Sequence, residues 1–171
     1  MTDYFLLDEL NSAKKQRKRI LIFYYVILGI YLACAIAVFV YYLTLPYKAE
    51  QIVWVKVIQY SLGGLFVIFS FLYLGIKFKR VNRYYKLCVN LSVGLKETTV
   101  ASFLRYDEDV QQKDGVDCKA LIFSEWNKYK KDFYERKVLV FYEKPFPEIK
   151  EGENVKFITQ GNFLISYEII E

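Results

Sequence analysis

The chain has 171 residues, 54% of them hydrophobic and 19% aromatic, and a formal net charge of +5 from 24 Lys and Arg against 19 Asp and Glu. That apolar share excludes a disordered chain. The absence of His excludes Ser-His-Asp or Cys-His catalysis and His-ligated zinc from this chain alone.

The apolar residues are concentrated in the first half, so the length is read as a membrane part joined to a small domain. Residues 1–19 read as a cytoplasmic, amphipathic and basic segment. Thr2 is placed to cap a short helix and Asp3 to complement its dipole, with Leu6, Leu10 and Ala13 sharing one face. This segment is expected to lie on the inner membrane surface. It ends in the cations Lys14, Lys15, Arg17, Lys18 and Arg19.

Residues 20–77 read as a transmembrane helical hairpin. The run from Ile20 to Leu45 holds no charged residue and exceeds the roughly 20 residues a spanning helix needs. It is too long for the apolar core of a cleaved signal peptide, and a second apolar run follows at once. That second run, from about Ile52 to Ile76, holds one cation, Lys56, near its outer end, where it can snorkel. Pro46 and the short connection PYKAEQ predict an antiparallel pair. A second basic cluster follows: Lys77, Lys79, Arg80, Arg83 and Lys86. Two clusters flanking the hairpin, with a nearly uncharged loop between, predict a multi-pass cell-membrane protein with both termini in the cytoplasm. Gly29, Ala33 and Ala37 recur every fourth residue, and Gly63 and Gly64 lie in the outer half of the second run. Such small residues let helices approach closely, either within the hairpin or against another membrane protein. Neither span holds Asp, Glu or Arg, which argues against a channel or transporter working alone.

Residues 78–95 are expected to continue as an exit helix, with Phe78, Val81, Tyr85, Cys88 and Ser92 near one face and Gly94 as its stop. Over residues 96–171 the pattern turns to period two. Strands are predicted in ETTVASFLRY, VDCKALIFSEW, KDFYERKVLVFYE, the run after Glu151-Gly152, and FLISYEII. Lys113-Asp114-Gly115 and Gln160-Gly161-Asn162 mark hairpin turns, and Pro145 and Pro147 interrupt the chain. Val155, Phe157, Leu164 and Tyr167 are candidate core residues, while Glu125, Glu143 and Glu168 are expected to face solvent. The fold class is therefore an α+β membrane protein: a two-helix transmembrane hairpin followed by a small five-stranded antiparallel β-domain, an OB-like or SH3-like barrel.

The three cysteines, Cys34, Cys88 and Cys118, form no CxxC, so neither a disulfide framework nor a zinc ribbon is expected. Residues 87–171 carry 12 Lys and Arg against 15 Asp and Glu, a balance that argues against nucleic acid. One stretch interleaves aromatic and basic residues: Trp126, Lys128, Tyr129, Lys130 and Lys131. It is a candidate contact for anionic lipid or an acidic partner. The acidic run Asp107-Glu108-Asp109 with Asp114 and Asp117 matches no calcium loop, and no nucleophile or phosphate-loop motif occurs. No catalytic residue, metal or cofactor is expected.

With spans first, then a small β-domain closing on PEIKEGENVKFITQGNFLISYEI, the chain resembles the membrane-anchored OB-fold proteins of the NfeD type. The resemblance implies a part in scaffolding membrane microdomains or in quality control. The function expected is thus non-enzymatic, a scaffold or accessory subunit, with a lipid or ligand sensor as the alternative. The partners expected are membrane lipids and a membrane protein or a second copy.

Overall fold

The apolar runs fold as helices because nothing inside them interrupts the backbone ladder. The computed structural model describes residues 2–5, 7–46, 49–127, 129 and 131–170. Helix α1 is Leu7–Thr44 and helix α2 is Gln51–Leu72. Both are long and apolar enough to cross a membrane. Pro46 has no N–H to extend α1, and its carbonyl instead accepts the Ala49 N–H at 3.1 Å, turning the chain. Tyr47 and Lys48, in the expected loop, lie outside the described residues. After α2 a π-helical segment, Tyr73–Phe78, leads into α3, Lys79–Val93. Gly94 follows the last residue of α3, as expected, and only a glycine fits there. A Cβ there would stand 2.5 Å from Gln160 Nε2 and 2.6 Å from the Asn90 carbonyl.

The chain divides into two units, residues 15–82 and residues 1–14 with 83–171. In the first, α1 and α2 meet along an aromatic seam. Tyr31 stacks on Phe66 with centroids 4.1 Å apart, and Tyr24 lies beside Phe66, Phe69 and Tyr73. The Tyr73 hydroxyl donates to the Ile20 carbonyl at 3.2 Å.

The second unit is a closed five-stranded barrel with a short added strand. The strands are β1 (Thr2–Asp3), β2 (Glu97–Lys113), β3 (Val116–Asn127), β4 (Asp132–Phe141), β5 (Asn154–Gln160) and β6 (Phe163–Ile170). The order β6-β4-β3-β2-β5 closes through β5–β6 pairing, and β1 adds to β6. Strand β2 serves two neighbours, β5 through Glu97–Ser102 and β3 from Ser102 onward. Its register shifts after Phe103 and Asp107 supply the bend this requires. Two-residue turns at Asp114-Gly115 (φ 54° and 74°) and Gly161-Asn162 (φ 54° and 71°) make the β2–β3 and β5–β6 hairpins. The five predicted strands are therefore present.

The sheet is not purely antiparallel, as the sequence suggested. Strands β4 and β6 run parallel where Leu139 meets Phe163. A closed ring with an odd number of strands cannot alternate direction all the way round, so closure forces one parallel seam.

Period-two alternation sorts the barrel's residues into two cores. Ala101, Phe103, Leu121, Phe123, Val138, Val140, Val155, Phe157 and Leu164 point inward and fill the barrel. Three of the four expected core residues are among them, with Tyr167 packed at the edge. The opposite faces of β3, β4 and β6 present Cys118, Ala120, Ile122, Leu139, Phe141, Phe163 and Ile165, and these are buried too. Their cover is the chain's own: Phe5 and Ala13 from the N-terminal segment, and Leu87, Cys88 and Leu91 from α3.

That cover corrects two expectations. Thr2 does not cap a helix; Thr2 and Asp3 pair with Tyr167 and Ser166 of β6, and the Tyr4 and Phe5 N–H groups donate to the Ile165 carbonyl. Beyond its single bridge to β4, the edge of β6 is free, and unpaired backbone groups there need a partner. The first 14 residues thus belong to the barrel unit and not to a surface-lying extension; Leu6 lies outside the described residues. On α3 the buried face is Leu87, Cys88 and Leu91, flanked by Tyr84 and Tyr85, about one residue round from the expected Val81–Tyr85–Cys88 line.

Candidate functional site

The residues singled out by sequence fall into three places. The first is the helical pair. Gly29, Ala33 and Ala37 are all exposed, so this face takes no part in hairpin packing. Gly63 faces Tyr31, whose Oη is 3.8 Å from where its Cβ would be, while Gly29 and Gly64 have nothing within 4 Å. The seam between the helices is aromatic; packing of small residues within the hairpin was one of the two contacts the sequence left open. Large rings fill the gap between two helices without requiring close backbone approach.

The second place is the basic clusters. Lys14, Lys15, Lys18 and Arg19 are exposed and Arg17 is half-buried. Lys77, Lys79, Arg80 and Lys86 are exposed as well. Arg83 lies over Gly115 in the β2–β3 turn, where the φ of 74° already favours glycine.

The third is the far end of the β3–β4 hairpin. Trp126 and Phe133 are cross-strand partners with ring centroids 4.9 Å apart. Tyr129 and Lys131 are exposed in the turn; Lys128 and Lys130 lie outside the described residues. The turn is fixed by Asn127, whose Oδ1 accepts the Tyr129 N–H and whose carbonyl accepts the Lys131 N–H, each at 2.9 Å.

One polar cluster was not legible in the sequence. Arg136 points inward from β4 at one end of the barrel, its side chain 10% exposed, with its guanidinium over the Phe157 ring. It donates to Glu125 and Thr99 through Nη1 and to Glu97 and Thr159 through Nη2, at 2.9 to 3.2 Å. Glu125, expected to face solvent, is therefore half-buried in an ion pair, whereas Glu143 and Glu168 are exposed. The alternation of β3 does place Glu125 on the same side as Leu121 and Phe123, which is the signal that could have found it. Both terminal nitrogens of this fork have two acceptors each, so the cluster works as a polar plug over the apolar interior.

The remaining reactive groups are quiet. Burial pushes the Cys88 thiol up to about 11, against the lowering effect of its hydrogen bond with Tyr84. Burial also pushes Cys118 up to about 11. Protonated, buried thiols are poor nucleophiles. Lys144 bridges the N-terminal segment and the barrel: it pairs with Glu9 and donates to the Tyr4 carbonyl at 2.6 Å. Among the described residues no group of three His, Cys, Asp or Glu is placed to hold a metal ion. Compared with known protein families, with curated proteins and with solved structures, the chain matches none.

Proposed function

We propose that this chain is a non-enzymatic integral membrane protein whose barrel serves as a scaffold or accessory subunit of a membrane assembly. In this reading α1 and α2 span the cell membrane, and the flanking basic clusters hold both termini in the cytoplasm. The observation that carries it is the use of the barrel's apolar surfaces. The interior is filled by large side chains, and the β3–β4–β6 face is covered by the chain's own N-terminal segment and α3. The barrel is thereby a rigid body on an anchor, suited to hold something in place and not to enclose a substrate.

Counting strands within the barrel from β2, the order is 1-2-3-5-4 and back to 1. That order supports the OB-like form over the SH3-like one, and it keeps the organisation on which the resemblance to NfeD-type proteins rests. OB-type barrels take oligonucleotides on their second and third strands. Here that outer face lies under α3 and the N-terminal segment, which supports a role without nucleic acid. The open Gly29–Ala33–Ala37 face supports assembly within the membrane.

Chemical crosslinking of the native protein in its membrane, followed by mass spectrometry, tests the reading. The expected result is a reproducible crosslink to one membrane-protein partner or to a second copy. A protein that stays monomeric and uncrosslinked overturns it.

A further inference from the structure

The end of the β3–β4 hairpin stands outside the barrel's own packing. Beyond the rung Ser102–Ser124, β3 pairs with β4 alone. The rungs Glu125–Tyr134, Trp126–Phe133 and Asn127–Asp132 therefore form a two-stranded ribbon. Trp126 and Phe133 touch edge to face across it, yet remain 48% and 64% exposed, and Tyr129 at the turn is 98% exposed. Neither Trp126 nor Phe133 belongs to either core of the barrel. Large rings gathered on one projecting turn are costly in water unless something covers them.

The charges around the rings say what the cover is. The turn holds Lys131, and the sequence between Asn127 and Lys131 adds Lys128 and Lys130. Of the neighbouring carboxylates, Glu125 is paired with Arg136 and Glu135 with Arg105, each at 2.9 Å, which leaves Asp132 against the three lysines in the sequence. The tip is therefore cationic and aromatic together. Trp and Tyr favour the headgroup layer, where one end of the ring is wet and the other apolar, and Lys favours anionic headgroups. Exposed rings and lysines on one turn combine the two features that a headgroup layer rewards, and this favours a lipid surface over a folded protein.

We infer that this ribbon is a docking tip for an anionic lipid surface, with Trp126, Tyr129 and Phe133 entering the headgroup layer and Lys131 meeting the lipid charge. The inference rests on the membrane anchoring of the proposed function but not on its scaffold role.

The chain has two Trp, Trp54 and Trp126, so full-length protein carrying Trp54→Phe leaves Trp126 as the only reporter. It is reconstituted into vesicles of phosphatidylcholine alone, or of phosphatidylcholine mixed with phosphatidylserine. Quenching by lipids brominated below the headgroup and by aqueous iodide is then read. With phosphatidylserine, Trp126 is expected to be quenched by the brominated lipid and shielded from iodide. High salt should reverse both. Lys131→Gln should lower the docked-to-free ratio about fivefold. The salt arm uses the unsubstituted tip, so a misfolded variant does not decide the matter. Iodide-accessible Trp126 in both vesicle types overturns the inference. So does shielding that appears only when native membrane proteins are added, since the occupant is then a protein.

Discussion

Arg136 shows how much one side chain can organise. Its fork joins β2, β3 and β5 to β4 at the barrel end through two carboxylates and two threonines. Glu97 is largely exposed, so that half of the pair contributes little, whereas Glu125 and buried Thr159 lose their donor if Arg136 is removed. Arg136→Met is expected to destabilise the barrel by about 2 kcal/mol, a figure discounted from a fully buried pair for that exposure. Arg136→Lys should rescue little of this, because an ammonium cannot reach four acceptors in a plane. Denaturant titration of the purified full chain checks both. The buried thiols make a second residue-scale prediction. Each has a folded pKa near 11 against an ordinary value of 9.0, so the folded state holds these protons longer. Their contribution to stability is complete below pH 9 and is lost as pH rises toward 11. A Cys88→Ala, Cys118→Ala double variant should show a smaller fall in Tm over that window than the native chain.

Among the elements, the N-terminal segment has the largest unforeseen role. Read alone, TDYFLLDEL does not say which surface its apolar residues will meet. It is buried because β6 offers a free edge and β3, β4 and β6 offer an apolar face, and both exist only once the barrel has closed. Phe5 sits in the outer core beside Phe163 and Leu87. Phe5→Ala is expected to cost about 3 kcal/mol, the range for removing a buried ring, and thermal melts of the full chain measure it. A protein beginning at residue 96 would expose that face and should bind a hydrophobic dye strongly. Where an element's own pattern dictates its burial, the sequence carries the signal: the unbroken apolar runs ALIF and VLVF are buried on both faces of β3 and β4, and Gly94 ends α3.

For the whole molecule, the division of labour between the two units frames the assembly prediction. The helical pair is closed on one side by aromatic stacking and is left with an open face of small residues on α1. Ala33→Leu puts a branched side chain in the middle of that face and should shrink the crosslinked assembly by disrupting close helix approach. Because Ala33 does not pack within the hairpin, the fold of the monomer should survive, as its melting temperature would report. Unchanged assembly size removes this face from the interface.

The sequence by itself determined whatever depends on local pattern. Two long apolar runs produce two helices long enough to span a membrane, and period-two runs between turn residues produce five strands. The tertiary structure alone decided what depends on which surfaces meet. Closing five strands imposed the parallel β4–β6 seam. A free edge recruited Thr2 and Asp3 from more than 160 positions away in the chain, to Tyr167 and Ser166. The inward end of β4 gathered two carboxylates around Arg136, and the ends of β3 and β4 were left to carry their aromatic rings into solvent. Hydrophobic periodicity says which face of an element seeks burial, but not which partner covers it; that is settled only when the barrel closes.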